Sequence, residues 1–311
     1  MPGRSFVMMV SPVFTRVVNM FEACARRLLV SCCLVSALVS LDGCASVQVP
    51  AHQERLEVKS RFLLTFDDGP DGRRSSNLTV HILEDLARNS VQQNLKAIFF
   101  VQTRNPDGGG SEYGRTLLQR EYAEGHIVAL HSGTERGHVS HIWMSSRELD
   151  ESLRDGVEDI KRITGQNPLL VRPPYWWFNP DTLAHYERLG LHMILSDVKA
   201  YDGVNWGMHI FRRANIEWQL TTIRERLALN RLPVVAGIVP IIVTFHDTNE
   251  FTAGHLEEYL RILVEEAWKA GLPMDDKPFY DDSTELMYAA LQRAIPALRP
   301  EVNVRLPVMN N

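Results

Sequence analysis

Arg61-Phe62-Leu63-Leu64-Thr65-Phe66-Asp67-Asp68-Gly69-Pro70 joins a mostly apolar run to two carboxylates and a Gly-Pro turn signal. A short apolar run bounded by turn residues reads as a strand buried on both faces. Five further runs of this kind lie at residues 96–101, 126–131, 169–172, 191–198 and 240–246. Between them the apolar spacing changes to that of helices. Residues 145–165 are the clearest case: Leu149, Leu153, Val157, Ile160 and Ile163 make one face, Ser145 with Glu148 forms a capping box, and Gly165 stops the helix. Residues 215–230 and 254–270 read as helices on the same grounds. Buried strands alternating with helices require crossover connections, hence a parallel sheet in an α/β fold. An open doubly wound sheet and an incomplete β/α barrel both fit this pattern. From Asp275 the chain is acidic, then regains helical spacing through Leu286, Leu291 and Ile295, which predicts a last helix packed on the barrel.

The whole chain has 311 residues, 33 Lys+Arg against 38 Asp+Glu, a net charge of −5 and 45% hydrophobic residues. These values exclude a disordered chain, a collagen-like repeat and a multi-span membrane protein. A net negative charge gives no electrostatic reason to expect nucleic acid as a partner. All four cysteines (Cys24, Cys32, Cys33, Cys44) fall in the first 44 residues, so the rest of the chain can form no internal disulfide or thiolate metal site. Arg26 and Arg27 precede an uncharged apolar run over residues 28–41, the layout of a signal peptide, and a start at Met20 is compatible with it. The run ends in Leu41-Asp42-Gly43-Cys44, which resembles a lipobox with Cys44 as the lipidated residue. The expected organisation is a leader over 1–43, a polar tether over 44–60, a catalytic domain over 61–275 and a C-terminal helical extension of that domain over 276–311.

Active sites of parallel α/β folds form at the C-terminal ends of the strands. At those ends the sequence has Asp67 and Asp68, then His131 followed by Glu135, His138 and His141. Arg172-Pro173-Pro174-Tyr175-Trp176-Trp177 comes next, then Asp197 and Asp202, then His246-Asp247. Adjacent carboxylates after a buried strand point in different directions, so one can bind a cation while its neighbour handles a proton. Two imidazoles with one carboxylate make a three-ligand site that leaves positions for water and substrate. An Arg beside a carboxylate can hold it ionised and oriented. His126 reads as a structural histidine. Tyr175, Trp176, Trp177 and Trp143 offer flat apolar surface on which a sugar ring can stack or which can pack the core.

In that order, Thr65-Phe66-Asp67-Asp68-Gly69-Pro70, a histidine-rich second segment, Arg172-Pro173-Pro174-Tyr175 and a final His246-Asp247 resemble the polysaccharide deacetylase family, also called NodB-homology or carbohydrate esterase family 4. The resemblance covers roughly residues 61–270. It implies a distorted, incomplete (β/α) barrel of about seven parallel strands that removes N- or O-acetyl groups from a carbohydrate polymer. It also implies one divalent metal ion, zinc foremost, with cobalt, nickel or manganese as alternatives. Asp67 would be the general base that activates the attacking water, Asp68 and His131 metal ligands, and Arg172 the residue that positions Asp67. The Tyr175 backbone N–H, with Trp176 beside it, would serve the oxyanion and substrate. His246 would protonate the leaving group, tuned by Asp202 rather than Asp197.

Two positions depart from the family pattern. Glu135 stands where the second histidine is usual, and alignment from Met144-Ser145 assigns that ligand to His138 rather than His141 or Glu135. Thr244 replaces a leucine two residues before His246. The expected partner is an acetylated polysaccharide or oligosaccharide, with membrane contact through the lipid anchor and no protein or nucleic-acid partner. The expected location is the bacterial cell envelope, facing the periplasm. Hydrolysis of a cyclic amide on the same fold and a non-catalytic glycan-binding lipoprotein are the competing readings. Non-haem iron oxygenases share the ligand set, but on antiparallel β-sandwiches that this pattern does not support.

Overall fold

The computed structural model of the chain describes residues 58–202 and 208–296. The leader, Cys44 and most of the tether lie outside the described residues. The strands are β1 (Ser60–Asp67), β2 (Ala97–Gln102), β3 (Ile127–Ser132), β4 (Leu170–Val171), β5 (His192–Met193), β6 (Val198–Lys199), β7 (Val239–His246) and β8 (Met274–Phe279). The helices are α1 (Leu78–Ala87), α2 (Glu112–Ala123), α3 (Ser146–Thr164), α4 (Pro180–Arg188), α5 (Arg212–Ala228), α6 (Glu250–Lys269) and α7 (Ser283–Gln292). Seven strands form one parallel sheet in the order β5-β4-β3-β2-β1-β7-β6, curled into an incomplete barrel. Among the two architectures open to the sequence, the barrel is the one adopted.

Alternation along each strand builds two cores. Phe62, Leu64 and Phe66 of β1 face outward with Phe99 and Val101 of β2 and Val243 and Phe245 of β7, and the helices cover them. Leu63 of β1, Ile98 and Phe100 of β2, Ile127 and Ala129 of β3 and Ile242 of β7 face inward. Tyr280 and the α7 residues Leu286, Ala289 and Ala290 close the lower end of this inner layer. Each fully buried side chain of this size stabilises the fold by roughly 1.5–3 kcal/mol. On the same inward rows Asp67, His131 and His246 stand at the upper ends of their strands.

Helix α3 keeps its predicted signals: the Ser145/Glu148 capping box is formed, and Gly165 ends it at φ 77°, a conformation glycine adopts without steric cost. Helices α5 and α6 extend beyond the predicted starts by three or four residues, to Arg212 and Glu250. The stretches of α1, α2 and α4 carry no helix in the sequence reading above. The apolar run 191–198 is not one strand. It forms β5 at one edge of the sheet and β6 at the other, and residues 194–197 cross between them. Barrel closure is thus made by chain rather than by a strand pair. The acidic start of the tail, expected as part of a helical extension, is instead β8. It pairs parallel with Ser60 and Phe62 of β1, along the edge that β2 takes over from Leu64 onward.

His126 is buried just ahead of β3, where its Nδ1 accepts the Ala97 N–H at 3.2 Å. Burial lowers its pKa to about 3, with smaller contributions from the charges of Lys96 and Arg120. The folded state then stays neutral while the unfolded state takes a proton below about pH 6.5. Stability supplied by neutral His126 is complete above that pH and is lost as the pH falls toward 3. In chemical denaturation at pH 7, 6, 5 and 4, wild type should lose up to about 1.4 kcal/mol more per pH unit below pH 6.5 than His126→Gln. Parallel pH profiles for the two proteins would contradict this.

Candidate active site

The inward row of each central strand ends in a polar group: Asp67 on β1, Gln102 on β2, His131 on β3, and His246 on β7, with Arg172 just past β4. Asp68 would point away from the mouth if β1 continued. Its φ of 74° turns the chain left-handed, which returns its carboxylate to the rim beside that of Asp67. The turn is anchored by the Gln102 N–H donating to the Gly69 carbonyl at 2.9 Å. Gly69 is required sterically, because a Cβ there would lie 2.1 Å from Asp247 Oδ2. Asp247 is fully buried and accepts the Thr79 hydroxyl, and burial, the largest of several influences, pushes its pKa up to about 7. It supports the loop from beneath.

Arg172 is fully buried inside the barrel. Its Nη1 donates to Asp67 Oδ1 at 2.7 Å and to Thr65 Oγ1 at 2.6 Å, and its Nε donates to the Ile194 carbonyl at 3.3 Å. The second oxygen of Asp67 accepts the Trp176 indole N–H at 3.2 Å. Thr244 faces inward, its hydroxyl 3.0 Å from that of Thr65, its register partner across the β1–β7 pair. The position where the family pattern expects leucine is thereby tied into the Arg172 network.

His131 Nδ1 lies 2.7 Å from the Arg172 carbonyl, which can only accept, so Nδ1 carries the proton and Nε2 offers a lone pair. That Nε2 is buried without a hydrogen-bond donor. It stands 3.2 Å from Asp68 Oδ1, and His138 Nε2 stands 3.5 Å from the same oxygen. Gln102 Nε2 donates to Asp68 Oδ1 at 2.8 Å and fixes its orientation. One potential ligand atom from each of Asp68, His131 and His138 lies within 4.8 Å of the others. Lone pairs converging at such separations repel unless a cation or proton sits among them, so this donor set fits a divalent metal ion. Burial raises the Asp68 pKa, but the imidazoles of His131, His138 and His246 around it outweigh burial and hold the carboxyl well below its usual range.

The other second-motif candidates go elsewhere. His141 is buried with its Nδ1 2.7 Å from the Tyr186 hydroxyl, and Glu135 is exposed beside a separate cleft lined by Arg104, Arg115 and Arg162. Across the mouth, His246 Nε2 is 3.9 Å from Asp68 Oδ2, while its Nδ1 is 2.8 Å from Asp202 Oδ1. Burial lowers the pKa of His246, but Asp202, Asp67 and Asp68 together raise it to about 10. Asp202 is held in turn by the His246 backbone N–H and the Thr252 hydroxyl. Asp197 is remote from this histidine. It accepts Arg293 and Arg226 at the β5–β6 crossing.

Sequence reasoning missed Gln102. The inward alternation of residues 98, 100 and 102 was the signal that could have found it. The indole of Trp176, left open by the sequence between a sugar platform and core packing, turns its N–H to Asp67 while lining the pocket. Trp143, Tyr175 and Trp177 remain exposed, with the Trp143 and Trp177 rings 5.2 Å apart and those of Tyr175 and Trp177 5.6 Å apart. Tyr175 has a left-handed φ of 60° and its ring packs 4.3 Å from that of His138. Below these rings opens a pocket of about 570 Å³.

The site is thus a curled parallel barrel with two histidines and an aspartate at its rim and a second aspartate pinned beside them. Residues 57–194 match the family model described as polysaccharide deacetylase. A chitin deacetylase of Pestalotiopsis sp. is 30% identical over 159 residues, covering 51% of this chain and 48% of that protein. A peptidoglycan-N-acetylglucosamine deacetylase of Bacillus cereus is 33% identical over 146 residues, covering 42% and 45% respectively. The chain thus spans about half the length of these relatives. The solved structure of the chitin deacetylase from Colletotrichum lindemuthianum superposes with a TM-score of 0.53 at 22% identity, over 78% of this chain and 93% of that one, which shows a shared fold.

Titration of the metal-free chain with zinc, followed by calorimetry, should give one site. His138→Ala should weaken it at least about tenfold, since one of three protein ligands is lost, whereas Glu135→Gln should bind as wild type does. Equal affinity in wild type and His138→Ala would remove His138 from the site.

Proposed function

We propose that the chain is a hydrolase that removes acetyl groups from a carbohydrate polymer, with one divalent metal ion held by Asp68, His131 and His138. The observation that carries this reading is the unequal treatment of two adjacent carboxylates. Asp68 faces two imidazole nitrogens, while Asp67 is occupied by Arg172 and Trp176 on its other side. When bound, the ion supplies Lewis-acid polarisation of the acetyl carbonyl and a more acidic water, and a site of two histidines and one carboxylate suits zinc first, with cobalt, nickel or manganese as alternatives.

Asp67 acts as general base on the attacking water, with its carboxylate kept in one orientation by the buried guanidinium of Arg172. The Tyr175 backbone N–H donates to the oxygen that gains charge as the carbonyl becomes tetrahedral. His246, protonated through its contact with Asp202, delivers a proton to the departing nitrogen or oxygen from the opposite side of the mouth. Tyr175, Trp177 and Trp143 present exposed rings against which a sugar can stack. The relatives named above act on chitin and peptidoglycan, which supports an N-acetylated glycan as substrate. The peptidoglycan-acting relative supports a place at the cell envelope, and Arg26, Arg27, the apolar run to Leu41 and Cys44 support export and anchoring there by lipidation of Cys44.

Purified chain should release acetate from N-acetylglucosamine oligomers, lose that activity in chelator and regain it with zinc. Asp67→Asn should fall by at least about a thousandfold in kcat while still binding zinc and glycan. Trp176→Phe, which keeps the ring and loses the N–H, should lower kcat about ten- to 150-fold, the worth of one hydrogen bond to a charged group. Acetate release unaffected by chelator would contradict the metal-dependent reading, and glycan binding with no turnover would make the chain a binding protein.

A further inference from the structure

The mouth of the site holds a cation that the proposed chemistry does not use. Lys199, at the end of β6, lines the pocket together with Asp67, Asp68, Trp176 and His246, and is the one lysine or arginine among the described lining residues. Its ammonium lies 3.9 Å from the centroid of the Trp176 ring. Although three carboxylates line the same pocket, no ion pair among the described residues includes this ammonium. Burial alone lowers its pKa, and no acidic group counters the shift. Lys59, Lys269 and Lys277, by contrast, each pair with a carboxylate.

The position is built rather than incidental. The Lys199 N–H donates to Gln219 Oε1 at 2.9 Å, and its carbonyl accepts from Asn215 Nδ2 and Gln219 Nε2, each at 3.0 Å. The backbone also pairs with Thr244 of β7. An ammonium seated on an indole face from a clamped backbone has already lost much of its rotamer freedom, so a new ionic partner costs little further ordering. Trp176 joins this cation to the chemistry, because the same indole donates its N–H to Asp67. An anion on Lys199 would therefore lie one indole ring away from the general base, within reach of the sugar unit that carries the acetyl group or of its neighbour.

We propose that Lys199 receives a substrate carboxylate, so that the chain prefers acetylated glycans in which a sugar at or next to the cleaved acetyl group is acidic. This rests on the deacetylase reading and narrows its substrate class. Two carbohydrate sources supply such a carboxylate: the lactyl ether of an N-acetylmuramic acid unit, and a uronic acid attached to an acetylated chain. A lysine that only covers the face of Trp176 would give no such preference.

The test uses the full chain loaded with zinc and three substrates: a neutral N-acetylglucosamine oligomer, a peptide-free strand containing N-acetylmuramic acid, and an acetylated xylan bearing glucuronic acid. The readout is the ratio of kcat/KM on each acidic substrate to that on the neutral one, so a loss common to all of them cancels. Wild type should favour one acidic substrate, and which one identifies the source. Lys199→Gln should lower that preference about five- to tenfold, Lys199→Arg should retain most of it, and added salt should shrink the difference. An unchanged ratio in Lys199→Gln, or a wild-type preference for the neutral oligomer, would overturn the inference and leave the deacetylase reading standing. No acetate from any of the three would overturn both.

Discussion

The ion pair between Arg172 and Asp67 is the constraint on which the site depends. It lies in the barrel interior with both side chains almost wholly shielded from water, where two isolated charges would be costly. The cost is offset because the guanidinium also reaches Thr65 and the Ile194 carbonyl, stands over the Phe100 ring, and leaves the second Asp67 oxygen to Trp176. A buried pair of this kind is weak evidence for net stability, and losing one partner alone typically costs about 3–5 kcal/mol. Its consequence here is geometric. One guanidinium ties β1 to the chain that crosses from β5 to β6, so the polypeptide that closes the barrel and the carboxylate proposed as base are held by the same group.

The inward alternation of the strands explains why the chemistry collects where it does. Apolar residues fill the lower interior and α7 plugs it, so water reaches the inward row only at the top. There the row changes to Asp67, Gln102, His131 and His246 within the span of one side chain. The left-handed turn at Asp68 adds a second carboxylate to a face that regular alternation would deny it. His131 is oriented by the Arg172 carbonyl, Asp68 by Gln102, and His246 by Asp202.

Much of this geometry is legible in the sequence, for a physical reason. Strand ends are marked by the switch from apolar to polar residues, and that switch locates Asp67, His131, Arg172 and His246 directly. His138 is harder, because an insertion separates it from His131, but the helix start at Ser145 sets the register behind it. What resists reading is contact that crosses between elements. Gln102 carries no titratable group to draw attention, and nothing local tells whether the Trp176 indole turns toward solvent or toward Asp67. The run 191–198 is mostly apolar in its first half, and nothing local marks its division between opposite sheet edges, where Arg172 binds the Ile194 and Leu195 carbonyls midway. β8 is acidic because it pairs along one edge and stays partly exposed, which disguises it as surface loop.

The central claim is that Asp68, His131 and His138 share one cation while Asp67, restrained by Arg172, stays off it. Anomalous diffraction at the zinc edge from crystals of the metal-loaded chain tests this most directly. The account predicts a single peak about 2 Å from one oxygen of Asp68 and from Nε2 of both histidines, with Asp67 still paired to Arg172. A peak coordinated by Asp67, or one that excludes His138, would contradict it.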